Sequence, residues 1–182
     1  MEVKTLLKHM INMARDKYDN IEINGFFIDK KDIIFEEKVK MNCFYCGKYN
    51  NNWKCPPNIP DLNYKKMIDE FENVAIIYLS MKVTRDTFEN VRTNSSVVLH
   101  KILLDYEKIL WDNNCSEALS FIGGSCKLCK NGCGAIKCNN PYYSRSPVEA
   151  LGINVIKTVS KYGIELKFPT NEELFRVGML LW

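Results

Sequence analysis

No stretch of the chain approaches the roughly 18 consecutive apolar residues that a membrane-spanning helix requires, so nothing in it is built to sit across a bilayer. A G-x4-G-K-S/T phosphate loop, a G-x-G-x2-G dinucleotide turn and an H-E-x2-H zinc helix are all missing. Their absence removes the usual local signatures of ATP, NAD or flavin binding and of zinc peptidase chemistry. There is no low-complexity tract and no internal repeat, which argues against a disordered or solenoid chain. Histidine is scarce: His9 and His100 are the two present, and both fall in expected helices, where an ordinary helix residue is the simpler reading than a metal ligand. The formal net charge of +3 is too small to argue for a nucleic-acid partner. The opening MEVKTLLKHMINMARDKYDN lacks the long apolar core and small-residue cleavage site of a secretory signal. It reads as an amphipathic helix, and a cytoplasmic location is expected.

What the chain does contain is ordinary core material and an unusual set of thiols. With 46% hydrophobic and 26% charged residues in 182, it has enough apolar side chains for one well-buried domain spanning residues 1–182. Eight cysteines in a reducing compartment point to metal binding or redox chemistry more than to a disulfide framework.

The apolar periodicity predicts a helix over residues 2–17, with Val3, Leu6, Leu7, Met10, Ile11 and Ala14 on one face. IEINGFFI and IIFEEKVKM, separated by the turn-like DKKD, predict a hairpin or two neighbouring strands. A helix is expected from Pro60 and Asp61 to about Asn73, then a buried strand over 74–83 and a long helix over roughly 85–112. EALSFIGG predicts a second strand, parallel to the first through a right-handed crossover. SPVEALGINVIKTVSKYG reads as one helix, with Ser146 as cap, Glu149 completing a capping box and Gly163 ending it. IELKF and RVGMLLW supply two last strands. The expected fold class is α/β or α+β, a mixed sheet flanked by helices, with two cysteine-rich loops at about 43–60 and 123–146.

The second loop runs Cys126-x2-Cys129-x3-Cys133-x4-Cys138-x2-Pro141, and the first Cys43-x2-Cys46-x8-Cys55-Pro56-Pro57. A C-x2-C pair lets two thiolates of one turn face the same metal, and further thiolates close by complete a soft, sulfur-rich site. The compressed second run followed by proline approaches the bacterial ferredoxin pattern with longer gaps, which favours an iron–sulfur cluster over zinc. Gly132 and Gly134 flank Cys133, so the backbone can wrap closely there. In the first loop Tyr45, Tyr49 and Trp53 either pack down the loop or shield a cluster from water.

Cys115 is left over, either a spare thiol, which is the favoured reading, or an eighth ligand completing the first site. Without it, Cys43, Cys46 and Cys55 leave one metal position open to water or substrate, as a catalyst needs. Lys48, Lys54, Lys127, Lys130, Lys137 and Arg145 crowd the same loops and could attract an acidic redox partner or a small anionic substrate.

The two blocks CFYC…CPP and GGSCKLC…C…C-x2-P…EALGINV together resemble a family of predicted metal-binding proteins, domain of unknown function 2284. The resemblance covers nearly the whole chain. It implies a metal site at Cys43, Cys46, Cys55, Cys126, Cys129, Cys133 and Cys138, accompanied by Pro56, Pro57, Gly124, Pro141, Glu149, Ala150 and Gly152. It implies no particular reaction.

The leading expectation is a cytoplasmic iron–sulfur protein with one or two 4Fe–4S clusters. It would transfer single electrons, or act as an oxidoreductase at an open cluster iron. The alternative is a zinc-stabilised binding module whose lysine-rich loops contact a protein or a nucleic acid.

Overall fold

The computed structural model describes residues 3–18, 21–166 and 172–182. Helix α1 (Val3–Lys17) follows the expected periodicity, burying Leu6, Leu7, Met10, Ile11 and Ala14. Strand β1 (Glu22–Phe27) comes next, and a 3-10 turn at Lys30–Asp32 is capped by the Asp29 carboxylate accepting from Lys31 N. Where a second strand was expected, the chain makes only a single bridge, Phe35 to Ile153, and then turns into helix α2 (Glu37–Phe44). The reason is local. Only Val39 is β-branched between Glu36 and Cys43, and acidic residues open the segment, which suits a helix start.

Helix α3 (Tyr64–Asp69) is shorter than the sequence suggests, because Asn63, not Pro60 or Asp61, caps it through Lys66 N. Strand β2 (Val74–Lys82) and helix α4 (Phe88–Asp112) appear where hydropathy places them. Strand β3 (Leu119–Phe121) leads into the second cysteine loop. The expected long helix after that loop is broken in two. A 3-10 turn at Val148–Leu151 ends at Gly152, whose φ of +84° admits no helical continuation, and Asn154 then caps helix α5 (Val155–Ser160). The capping box is therefore not formed, and Glu149 is released for another role. Strand β4 (Glu173–Leu181) closes the fold. Ile164–Leu166 form no strand, and Lys167 and Phe168 lie outside the described residues.

The strand order is β1-β2-β4-β3, and every neighbouring pair is antiparallel. β2 and β3 do run parallel to each other, as the crossover through α4 requires, but β4 lies between them. The second cysteine loop consequently leaves the carboxyl end of an edge strand, not of a central one.

The sheet separates two apolar layers, and β2 serves both by simple alternation. Ala75, Ile77, Leu79 and Met81 face α1 and α4, meeting Leu7, Met10, Leu99, Leu103 and Tyr106. Val74 and Ile76 face the other way, against Ile68 of α3, the 148–151 turn and Val159 of α5. The cysteine loops sit where the first turns of α4, the end of α2 and the 148–151 turn come together.

Candidate metal centre

The first loop is a succession of tight turns. Cys43 lies in the last turn of α2, Cys46 N donates to Cys43 O at 3.1 Å, and Tyr49 N to Cys46 O at 2.8 Å. Asn52, which is buried, organises the return: its Oδ1 accepts from Lys54 N at 2.9 Å and its carbonyl from Cys55 N at 3.0 Å. Asn52 and Trp53 also reach across to the second loop. Asn52 Nδ2 donates to Cys126 O at 3.0 Å, and Trp53 Nε1 to Gly134 O at 2.7 Å. Of the three aromatics expected to pack or shield, Trp53 and Tyr49 are partly buried, whereas Tyr45 is 78% exposed.

In the second loop, Asn140 Nδ2 donates to Cys129 Sγ at 3.1 Å, and Cys138 Sγ lies 3.4 Å from Ser144 Oγ. The far end is fixed by Arg145, whose Nε meets Glu107 Oε1 of α4 at 2.8 Å while its Nη2 pairs with Glu107 Oε2. Glu107 Oε1 also accepts from Ser120 N of β3 at 2.8 Å. Arg145 is thus a structural anchor and is not available as a loop cation. His100 is buried and its Nε2 meets Tyr143 O at 2.8 Å. Burial pushes its pKa down to about 4. His9 is on the exposed face of α1. Neither histidine lines a cysteine cavity.

The two cysteine sets line two separate cavities. Cys43, Cys46 and Cys55 open onto one of about 590 Å³, together with Glu149, Arg92 and Arg176. Cys126, Cys129, Cys133 and Cys138 open onto another of about 470 Å³, with Trp53, Asn140 and Ser144. Lys48 and Lys127 line both, so the cavities share a wall. Cys115 lines neither. It follows α4 at the end remote from Val97, a pocket-lining residue that lies roughly 22 Å from Asp112 at about 1.5 Å rise per residue. Its Sγ faces Asn113 O at 3.8 Å.

Burial dominates the electrostatics of the thiols. Cys55 is pushed up to about 12 by burial first, then by Cys43, Cys46, Cys126 and Glu149 nearby. Cys43 and Cys126 are pushed up for the same leading reason. Burial likewise raises the Glu149 carboxyl, against the backbone N–H groups of Glu149 and Gly124 and the charge of Arg176, which lower it. Its Oε2 is shut off from solvent and has no hydrogen-bond partner. Lys127 is lowered by burial and by the neighbouring Arg176, Arg92 and Lys48.

No three Cys, His, Asp or Glu among the described residues already stand in a metal-holding arrangement. The donor chemistry nonetheless fits a soft metal or an iron–sulfur group: seven thiols face two cavities, and a buried carboxylate oxygen lacks a partner at one of them. Arg92, Arg176 and Asn52 carried no recognisable signal in sequence, because each belongs to the site only through long-range packing. Glu149 was visible, but its spacing from Ser146 suggested a helix cap.

Fold and cavities together describe an α/β domain with a cysteine-lined candidate metal centre. The chain belongs to the family of predicted metal-binding proteins DUF2284, which matches residues 26–182. No curated protein and no solved structure matches it significantly. Among the described residues no helix is long and apolar enough to cross a membrane.

Proposed function

We propose that this chain is a cytoplasmic iron–sulfur protein of the oxidoreductase type with two 4Fe–4S centres. Cys126, Cys129, Cys133 and Cys138 would hold one, and Cys43, Cys46 and Cys55 the other. The observation that supports this best is the partition of the thiols, four around one cavity and three around its neighbour. Such clusters, when bound, supply one-electron chemistry at a potential set by burial, charge and hydrogen bonds to sulfur.

The residues around the cavities suit those tasks. Asn140 Nδ2 donates a hydrogen bond to Cys129 Sγ, which stabilises negative charge on the sulfur and so would favour the reduced state of a bound cluster. Asn52 and Trp53 hold the two loops against each other, keeping the cavities adjacent so that electrons have a short path between them. At the three-cysteine cavity Lys48, Arg92, Lys127 and Arg176 converge. Arg176 is oriented by donating to Ser95 Oγ at 3.4 Å and Arg92 O at 2.8 Å. A small anionic substrate would be drawn to this set and held beside the incomplete thiolate shell, while the four-cysteine side would exchange electrons with a redox partner protein.

Iron, acid-labile sulfide and zinc analysis of protein purified without oxygen tests the proposal. Iron and sulfide in equal amounts support it. A colourless protein with stoichiometric zinc overturns it and leaves a zinc-stabilised module.

A further inference from the structure

We propose that Glu149, and not Cys115, is the fourth protein donor to the metal held by Cys43, Cys46 and Cys55. This rests on the reading that a metal occupies the three-cysteine cavity, whichever metal it is.

Three observations converge. Glu149 lines the same cavity as the three thiols. Its Oε2 has no hydrogen-bond partner and no access to water, an uncommon arrangement in folded proteins that calls for a partner, here at the wall of a thiol-lined cavity. Cys43 Sγ lies 3.9 Å from Glu149 O, so α2 and the 148–151 turn bring the thiol and the glutamate side by side. The groups already acting on the Glu149 carboxyl, the backbone N–H of Glu149 and Gly124 and the charge of Arg176, leave Oε2 without a hydrogen bond. Arg176 directs its Nε and Nη2 to Ser95 and Arg92, and Cys115 stands at the far end of α4 beside Asn113 O.

A carboxylate is a hard donor among soft thiolates and is held less firmly by iron than sulfur is. Glu149 would therefore be the least firmly held of the four donors, in a cavity where Lys48, Lys127 and Arg92 would attract an anionic substrate. The broken helix makes this possible. An unbroken helix over 146–163 would have engaged Glu149 in a capping box, whereas the turn ending at Gly152 directs it inward.

The test compares Glu149→Ala, Glu149→Gln and Glu149→Cys with the native chain, each reconstituted anaerobically with ferrous iron and sulfide. Alanine and glutamine should release the metal of the three-cysteine site to a chelator at least tenfold faster, leaving that of the four-cysteine site unchanged. Glu149→Cys should restore retention. The metal-free Glu149→Gln chain should unfold at the same urea concentration as native or higher, because an unpartnered buried carboxylate has been removed. Native release rates and native electron-paramagnetic-resonance spectra in both the alanine and glutamine variants would overturn the assignment. So would a fall in the metal-free urea midpoint together with no rescue by cysteine, which marks a purely structural role. A Cys43→Ser, Cys46→Ser, Cys55→Ser chain that keeps all its metal would instead overturn the parent reading of the cavity.

Discussion

Asn52 Nδ2 donates to the carbonyl of Cys126 at 3.0 Å, across 74 residues of sequence. The same side chain accepts from Lys54 N at 2.9 Å and is buried. One amide thus fixes the return of the first cysteine loop and the entrance to the second.

Replacing Asn52 with alanine leaves both the partly buried Cys126 carbonyl and the Lys54 N–H without their partner. Loss of about 1–3 kcal/mol of stability is expected for each group left unpaired in a buried setting. Urea unfolding of the metal-free chain measures it, and an unchanged midpoint would show that the loops are held together by other contacts.

Arg145 and Glu107 form a partly buried ion pair, with side-chain exposures of 18% and 12%. Glu107 also receives Ser120 N, so it joins α4, β3 and the exit of the four-cysteine loop. Arg145→Ala leaves the carboxylate largely desolvated and should cost about 3–5 kcal/mol. The Arg145→Ala, Glu107→Leu double variant should recover part of that loss. Thermal melts of both chains decide the matter, and a double variant no better than the single one would refute the pairing as the cause.

The pH dependence of stability should carry the mark of His100. Its folded pKa, held at about 4 by burial, lies below the ordinary 6.5. The unfolded chain therefore binds more protons between those values, and stability rises with pH across that window. Falling from pH 6.5 to 4 should remove about 3 kcal/mol, at 1.36 kcal/mol per unit. Glu36 acts in a lower window. Its pairing with Lys157 and Asn154 depresses its pKa to about 2, so its contribution is present above 4.5 and fades as pH falls toward 2. Urea midpoints of native and His100→Gln chains between pH 4 and 7 should differ in slope, and equal slopes would exclude His100 as the source.

Much of the architecture could be read in the residues because it rests on local periodicity. The stripe of α1, the run of β2 and the long apolar face of α4 each repeat at the spacing of the element they form. The division of the thiols between two loops was equally legible, since C-x2-C spacing is itself the geometry of a turn, and the two sets line two cavities. What was hidden depends on partners distant in sequence. Only pairing can insert β4 between β2 and β3. The segment IIFEEKVKM opens on the strand-like residues Ile33, Ile34 and Phe35, but its polar remainder forms a helix from Glu37, with Glu36 tied to Lys157 and Asn154. Gly152 looked like an interior helix residue, where its positive φ in fact ends the turn that presents Glu149. Arg92 and Arg176 come from α4 and β4, and nothing but the folded sheet brings them to Cys43.

The measurement that bears most directly on the central claim is a count of iron in two loop variants, each reconstituted without oxygen alongside the native chain. One carries Cys43→Ser and Cys46→Ser, the other Cys126→Ser and Cys129→Ser. With one centre per cavity, each pair of substitutions should remove about half of the native iron and sulfide and leave the spectrum of the other centre intact. Complete loss of metal from both variants would mean a single centre shared between the loops, and no loss from either would mean that these thiols hold none.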